Sequence, residues 1–213
     1  LPYALGTYFI WGLYPLFFKL LEAAPPFEVM VQRVIWSLPL CLGLLYFRKE
    51  MRDFLGVFRN PAALRLLVAS SLLIGCNWLL YIYAVFTGHV IAASLGYYLN
   101  PLINVVLATL FLGERLSRLQ LLAVAVAAVG VATLLAGALD TLWISAILAT
   151  SFALYGLLRK IVSVGPLPSL AVETTVLMPI AMLVGIYYMG VGDGRGFGSS
   201  WQMSMLMIAA GAV

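Results

Sequence analysis

Residues 66–111 read LLVASSLLIGCNWLLYIYAVFTGHVIAASLGYYLNPLINVVLATLF, without one Asp, Glu, Lys or Arg among them. A single Thr87-Gly88-His89 turn divides this stretch into two apolar runs, Leu66–Phe86 and Ile91–Leu112. A helix crosses the hydrocarbon core of a bilayer in about 20 residues, and each run has that length. Both are continuously apolar, whereas the strands of a membrane barrel alternate in segments of about 10 residues. The stretch therefore reads as a pair of transmembrane helices joined by a tight turn.

Working outward, five further runs of the same kind lie near Tyr3–Leu21, Val29–Phe47, Leu119–Gly137, Leu142–Leu158 and Ser169–Gly190. An eighth starts near Trp201 and stops at Val213, too short to span. Composition agrees: 64% of 213 residues are hydrophobic, 9% are charged, and the mean hydropathy is +1.07. A soluble domain is about a quarter charged. The fold class predicted is all-α, a polytopic transmembrane helical bundle. Because the chain opens on Leu1 inside an apolar run, it is expected to be a piece of a longer protein. Ala23-Ala24 resembles a signal-cleavage site only weakly, since no basic segment precedes the first run.

Nine cations fall in the connections after the second, fourth and sixth runs: Arg48, Lys49, Arg52, Arg59, Arg65, Arg115, Arg118, Arg159 and Lys160. The opposite connections hold Lys19 and Arg195, and Arg33 lies within the second run. The positive-inside rule then puts the even connections and the N-terminus in the cytoplasm. The net charge of +4 is a topology signal. Cations spread along short loops suit anionic lipid headgroups and make no nucleic-acid surface.

No chemistry of the catalytic kind is visible. Cys41 and Cys76 both fall in apolar runs, where buried reduced thiols are expected, and no CxxC or Cys/His cluster suggests a metal. The lone His89 has no carboxylate or cysteine neighbour and reads as a turn residue. No nucleophile–base pairing or phosphate loop appears. The chain is predicted to be no enzyme and to carry no cofactor.

The informative residues are the polar ones inside the apolar runs. Arg33 lies a little over one turn into the second run, and Glu173 similarly into the seventh. Ionised groups at such depth normally face a bundle interior or a water-filled cavity; the alternative is local pairing that locks helices together. Tyr97, Asn100 and Asn104 share a helix face at i, i+3, i+7, and Asn77 and Tyr81 share another at i, i+4. Pro101 frees a backbone carbonyl one turn earlier, near Tyr97. A polar stripe beside an interrupted helix suits a midplane solute site; interhelical hydrogen bonding would leave the same residues as glue. Two alanine series, 123 and 127 and then 128, 132 and 136, each recur every four residues and read as close helix packing.

Setting the second and seventh runs at an offset of 140 pairs Pro39 with Pro179 and Arg33 with Glu173. At a slightly different offset, Trp11-Gly12 matches Tyr155-Gly156. Five helices per unit, an odd number, would insert the second unit upside down. Arg33 then lies toward one membrane face and Glu173 toward the other, too far apart for a direct salt bridge.

Several segments resemble a known family. They are Tyr8-Phe9-Ile10-Trp11-Gly12, Arg33-Val34-Ile35-Trp36-Ser37, Asn77-Trp78-Leu79-Leu80, Ala93-Ser94-Leu95-Gly96-Tyr97-Tyr98 and Asn100-Pro101-Leu102. Together they are similar to the RarD-like members of the EamA family, in the drug/metabolite transporter superfamily. Phe111-Leu112-Gly113-Glu114-Arg115 resembles that superfamily's Gly-Glu ending to the fourth helix. The resemblance covers essentially the whole chain and is densest from Gly75 to Arg118. It implies ten helices in two inverted five-helix repeats. Residues 1–137 would form the first and residues 138–213 an incomplete second, broken within the eighth helix. Ala92 stands where RarD-like sequences often carry an acidic residue, which puts proton coupling through that position in doubt.

The function expected is a permease in the bacterial plasma (inner) membrane. It would move a small polar or amphipathic solute, such as an amino-acid-like metabolite or a drug, and act as an exporter by alternating access. Arg33, Asn77, Trp78, Tyr81, Tyr97, Asn100, Asn104 and Trp11 are the expected solute contacts, converging on one cavity with a bend at Pro101. Glu173 is the expected gating or coupling group and should be left more open than Arg33. The partners expected are the solute and the lipid bilayer, with no nucleic acid; oligomeric state is not legible. A non-transporting membrane scaffold or sensor is the alternative.

Overall fold

The computed structural model describes residues 2–111, 113, 116–135, 139–191 and 196–212. Leu112, Glu114, Arg115, Ala136, Gly137 and Arg195 lie outside the described residues, and with them most of the Gly-Glu segment and the expected repeat boundary.

The described residues form helices and no strand. In order they are α1 (Pro2–Lys19), α2 (Pro26–Arg48), α3 (Met51–Val57), α4 (Pro61–Phe86) and α5 (Val90–Phe111). After these come α6 (Arg118–Leu135), a 3₁₀ turn at Leu139–Thr141, α7 (Leu142–Ile161), α8 (Pro166–Val191) and α9 (Trp201–Ala210). Five of them are long and apolar enough to cross a membrane: α2, α4, α5, α7 and α8 through Tyr188. α1 and α6 follow the first and fifth apolar runs as helices of 18 residues each.

The helix ends follow from local chemistry. α2, α4 and α8 each start on a proline, whose fixed φ suits the first helical position and whose missing N–H is no loss there. α2 stops where Lys49 turns left-handed at φ 61°, with the Glu50 N–H returning to the Leu45 carbonyl at 3.0 Å. Gly88, at φ 78°, makes the turn between α4 and α5. Ser117 and Gln120 cap α6 reciprocally, each side chain bonding the other's backbone N–H.

The helices gather into two compact units, each discontinuous in sequence. The first holds α1, α2, α3, α8 and α9. Here α2 and α8 pack antiparallel: Phe27 stacks on Tyr188 at 5.7 Å, and a Cβ on Gly185 would stand 3.1 Å from Val31 Cγ1. α9 closes on α2 where the Ser37 hydroxyl donates to the Gly211 carbonyl at 2.7 Å. The Glu28 carboxylate accepts the Gly196 and Phe197 N–H groups and ties the segment before α9 to the first turn of α2. The charged segment after Arg48, read as a loop, contains α3, which buries Phe54 and Val57 and packs on α8.

The second unit holds most of α4 with α5, α6 and α7. α5 and α7 run parallel. Successive residues of one meet successive residues of the other: Ala92 with Ser145, Gly96 with Leu148, and Tyr97 with Phe152. Their C-terminal turns therefore share an end, the one carrying Arg159 and Lys160. At Gly96 the contact is tight: an added Cβ would stand 2.9 Å from Leu148 Cβ and 3.1 Å from the Ser145 carbonyl oxygen.

Candidate functional site

The polar stripe of the second unit is partly closed and partly open. Asn77 on α4 is fully buried, and its Nδ2 donates to the Leu148 carbonyl and the Ser151 hydroxyl, each at 2.9 Å. A carbonyl can only accept, and the Ser151 hydroxyl turns its own hydrogen onto the α7 backbone, 2.7 Å from the Ile147 oxygen. The amide orientation is thereby fixed. Oδ1, the other branch of the amide, is buried without a hydrogen-bond partner.

Asn100, on the α5 face read from the spacing, is also buried and its Oδ1 also lacks a partner. One turn from each amide comes an aromatic ring. Tyr81 meets Tyr97 edge-on at 5.7 Å, Tyr97 meets Phe152 at 5.9 Å, and Phe152 lies 6.0 Å from Tyr155. Such edge-to-face pairs present both ring faces and ring edges to a neighbour. Trp78 is half-buried beside Asn77 on α4. Asn104 is exposed and lines a cleft of about 240 Å³ with Leu107, Ala108, Gly156, Leu157 and Lys160. Pro101 is exposed within α5, which continues to Phe111. Ala92 is buried, with its carbonyl taking the Ser145 hydroxyl at 2.7 Å.

Sequence reasoning did not single out Phe152, Ser151 or Ser145. The i, i+3 spacing of Phe152 and Tyr155 could have marked an aromatic face on α7.

The remaining expected residues belong to the first unit. Arg33 is 6% exposed, and its guanidinium lies 5.8 Å from the centroid of the Phe18 ring. That contact offsets part of the cost of holding a cation away from water. Trp11 is 41% exposed. Glu173 is 1% exposed, so the expectation that it would be more open than Arg33 is reversed. Both α2 and the unforeseen α3 pack on α8, which accounts for its enclosure. Carrying the Phe27–Tyr188 and Val31–Gly185 register onward sets Arg33 level with residues 182–183 of α8. Glu173 is then about ten residues, or ~15 Å, further along the axis.

Cys41 is buried as expected, but Cys76 is exposed, and both are free. Among the described residues no group of three or more His, Cys, Asp or Glu side chains could hold a metal ion.

The EamA-like transporter family matches residues 1–136. An uncharacterized transporter of Pseudomonas aeruginosa is 45% identical over 99% of this chain and 72% of its own length. The RarD protein of Salmonella typhimurium is 41% identical over 99% of this chain and 71% of its own. The RarD protein of Escherichia coli is 40% identical over the same shares. No solved structure matches the chain. With the family covering most of its length and RarD proteins similar throughout, this chain belongs to the EamA-like transporter family as a RarD-like, multi-pass membrane member.

Proposed function

We propose that the protein is an inner-membrane permease that exports a small polar or amphipathic solute by alternating access. The observation that carries this reading is the buried amide oxygen of Asn77, whose orientation the two Nδ2 bonds fix and which has no donor. A buried acceptor left unmade costs about 1–3 kcal/mol. Structural glue would have closed it; a solute that donates hydrogen bonds completes it in passing. Tyr81, Tyr97 and Trp78 supply apolar and aromatic walls to that solute. In the other unit, Arg33 attracts a carboxylate, Trp11 adds an aromatic surface, and Glu173 acts as a gate or coupling group. Because position 92 holds no carboxylate, coupling to protons does not run through it.

Two inverted repeats, 1–137 and an incomplete 138–213, rock against each other in this mechanism. Supporting that, α2 and α8 each begin on a proline and carry a second one thirteen residues on, at Pro39 and Pro179. Their antiparallel register is centred near those inner prolines, as a two-fold axis in the membrane plane requires. The nine cations of the even connections support a cytoplasmic N-terminus.

One observation favours the scaffold or sensor reading instead: the Asn77 amide and the Ser145 hydroxyl are both spent on interhelical bonds. Metabolite profiling of cells with and without the full-length protein, followed by flux measurement in proteoliposomes, separates the two. A solute that accumulates inside deleted cells and leaves loaded proteoliposomes supports export, and the absence of both supports the scaffold.

A further inference from the structure

Asn77 reaches α7 from α4, where it holds Ser151. The register of Ala92 with Ser145 and of Gly96 with Leu148 sets Asn100 level with residues 152–153 of α7, beside that bond. Both amides are buried and both are uncharged. The Tyr81, Tyr97 and Phe152 rings lie within a turn of them. Counter-charge is what these helices lack: α4, α5, α6 and α7 contain no Asp or Glu. Between residues 62 and 163 the sequence has only Glu114 and Asp140, both outside those helices. The cations of α7, Arg159 and Lys160, come in its last turn, two turns beyond Ser151.

We propose, on the basis of the solute reading above, that the group of the solute that reaches Asn77 is an uncharged hydrogen-bond donor and not an ammonium. The N–H of an acylated amine and the O–H of an alcohol are its two forms. Asn77 Oδ1 is an acceptor fixed by the two bonds of its own Nδ2, so whatever completes it must donate. An ammonium also donates, but it would give up its hydration shell where the helices of this unit offer no carboxylate in return. Ring faces attract a cation, though by less than that loss. A neutral N–H or O–H satisfies the same oxygen with no charge to desolvate. An ester of the same shape brings no donor and leaves the oxygen unpaired.

Three probes on one ring skeleton test this: N-benzylacetamide with a neutral N–H, benzyl acetate with none, and benzylamine, an ammonium at pH 7. Their binding to the full-length protein in phosphatidylcholine nanodiscs is read by saturation-transfer NMR, with empty discs subtracted. N-benzylacetamide should bind about tenfold more tightly than either of the others, the weight of one buried hydrogen bond. Asn77→Asp, which puts a carboxylate at the same place, should move the preference to benzylamine. The wild-type ranking stands as a test by itself if that variant does not fold. Benzylamine binding as tightly as N-benzylacetamide would overturn the proposal and leave the solute reading standing. So would equal binding of the amide and the ester, or an unchanged order in a folded Asn77→Asp. No binding by any of the three would count against the solute reading, and the neutral donor would fall with it.

Discussion

Asn77 and Ser151 are joined at 2.9 Å in a bond whose direction is fixed, amide hydrogen to hydroxyl oxygen. The consequence lies on the other side of the amide. Its oxygen is left as a buried acceptor without a donor. In the function we propose, one residue is glue through its nitrogen and a recognition group through its oxygen, and substitutions should separate the two roles.

Ser151→Ala removes one of the two Nδ2 acceptors and keeps the Leu148 carbonyl. Thermal unfolding of the full-length protein in detergent should show a loss of about 1 kcal/mol, with transport retained. Asn77→Leu should cost about 1–3 kcal/mol and also impair transport, since it abolishes both halves.

Gly96 tests the helix packing that holds the site. Gly96→Leu drives a side chain into Leu148 and the Ser145 backbone and should destabilise the protein by about 1–3 kcal/mol or more. Gly12→Ala, in open space on α1, should be close to neutral in the same melting assay.

Thiol accessibility should distinguish the two cysteines. In detergent, an uncharged maleimide should modify Cys76 well before Cys41, because Cys76 is exposed and Cys41 is buried. Equal rates, read by intact mass, would contradict the placement of α4.

Topology can be read with single cysteines at Lys49 and Lys160 in a background lacking Cys41 and Cys76. Both positions should react with an impermeant maleimide only after the inner face of the membrane is opened. Labelling of one from each side would break the positive-inside reading.

Much of the fold was legible because lipid leaves a chain few options: every apolar run of sufficient length became a helix, and prolines at 26, 61 and 166 marked helix starts. The helix α3 was not legible, since Arg48, Lys49, Arg52 and Arg59 disguised a segment whose Phe54 and Val57 find cover only in the tertiary structure. The site shows the same division. The spacing of Tyr97, Asn100 and Asn104 revealed a shared face, but not that its exposure grades from half-buried through buried to open. Asn77's partners lie 71 and 74 residues away, so only the fold could say which half of its amide was spent. Glu173 was misjudged for the reason that hid α3: the elements that pack on α8 are distant in sequence.

The central claim is that the unpaired amide oxygens and the buried arginine meet the solute. The most direct measurement is flux of the solute found by metabolite profiling, in proteoliposomes of the full-length protein, Asn100→Leu and Arg33→Leu. Asn100→Leu should weaken apparent solute binding by about 1–3 kcal/mol. Arg33→Leu should abolish flux of an anionic or zwitterionic solute with membrane insertion intact, because losing the charge lowers the cost of insertion. Wild-type kinetics from both variants would contradict the account and leave these side chains as parts of the packing.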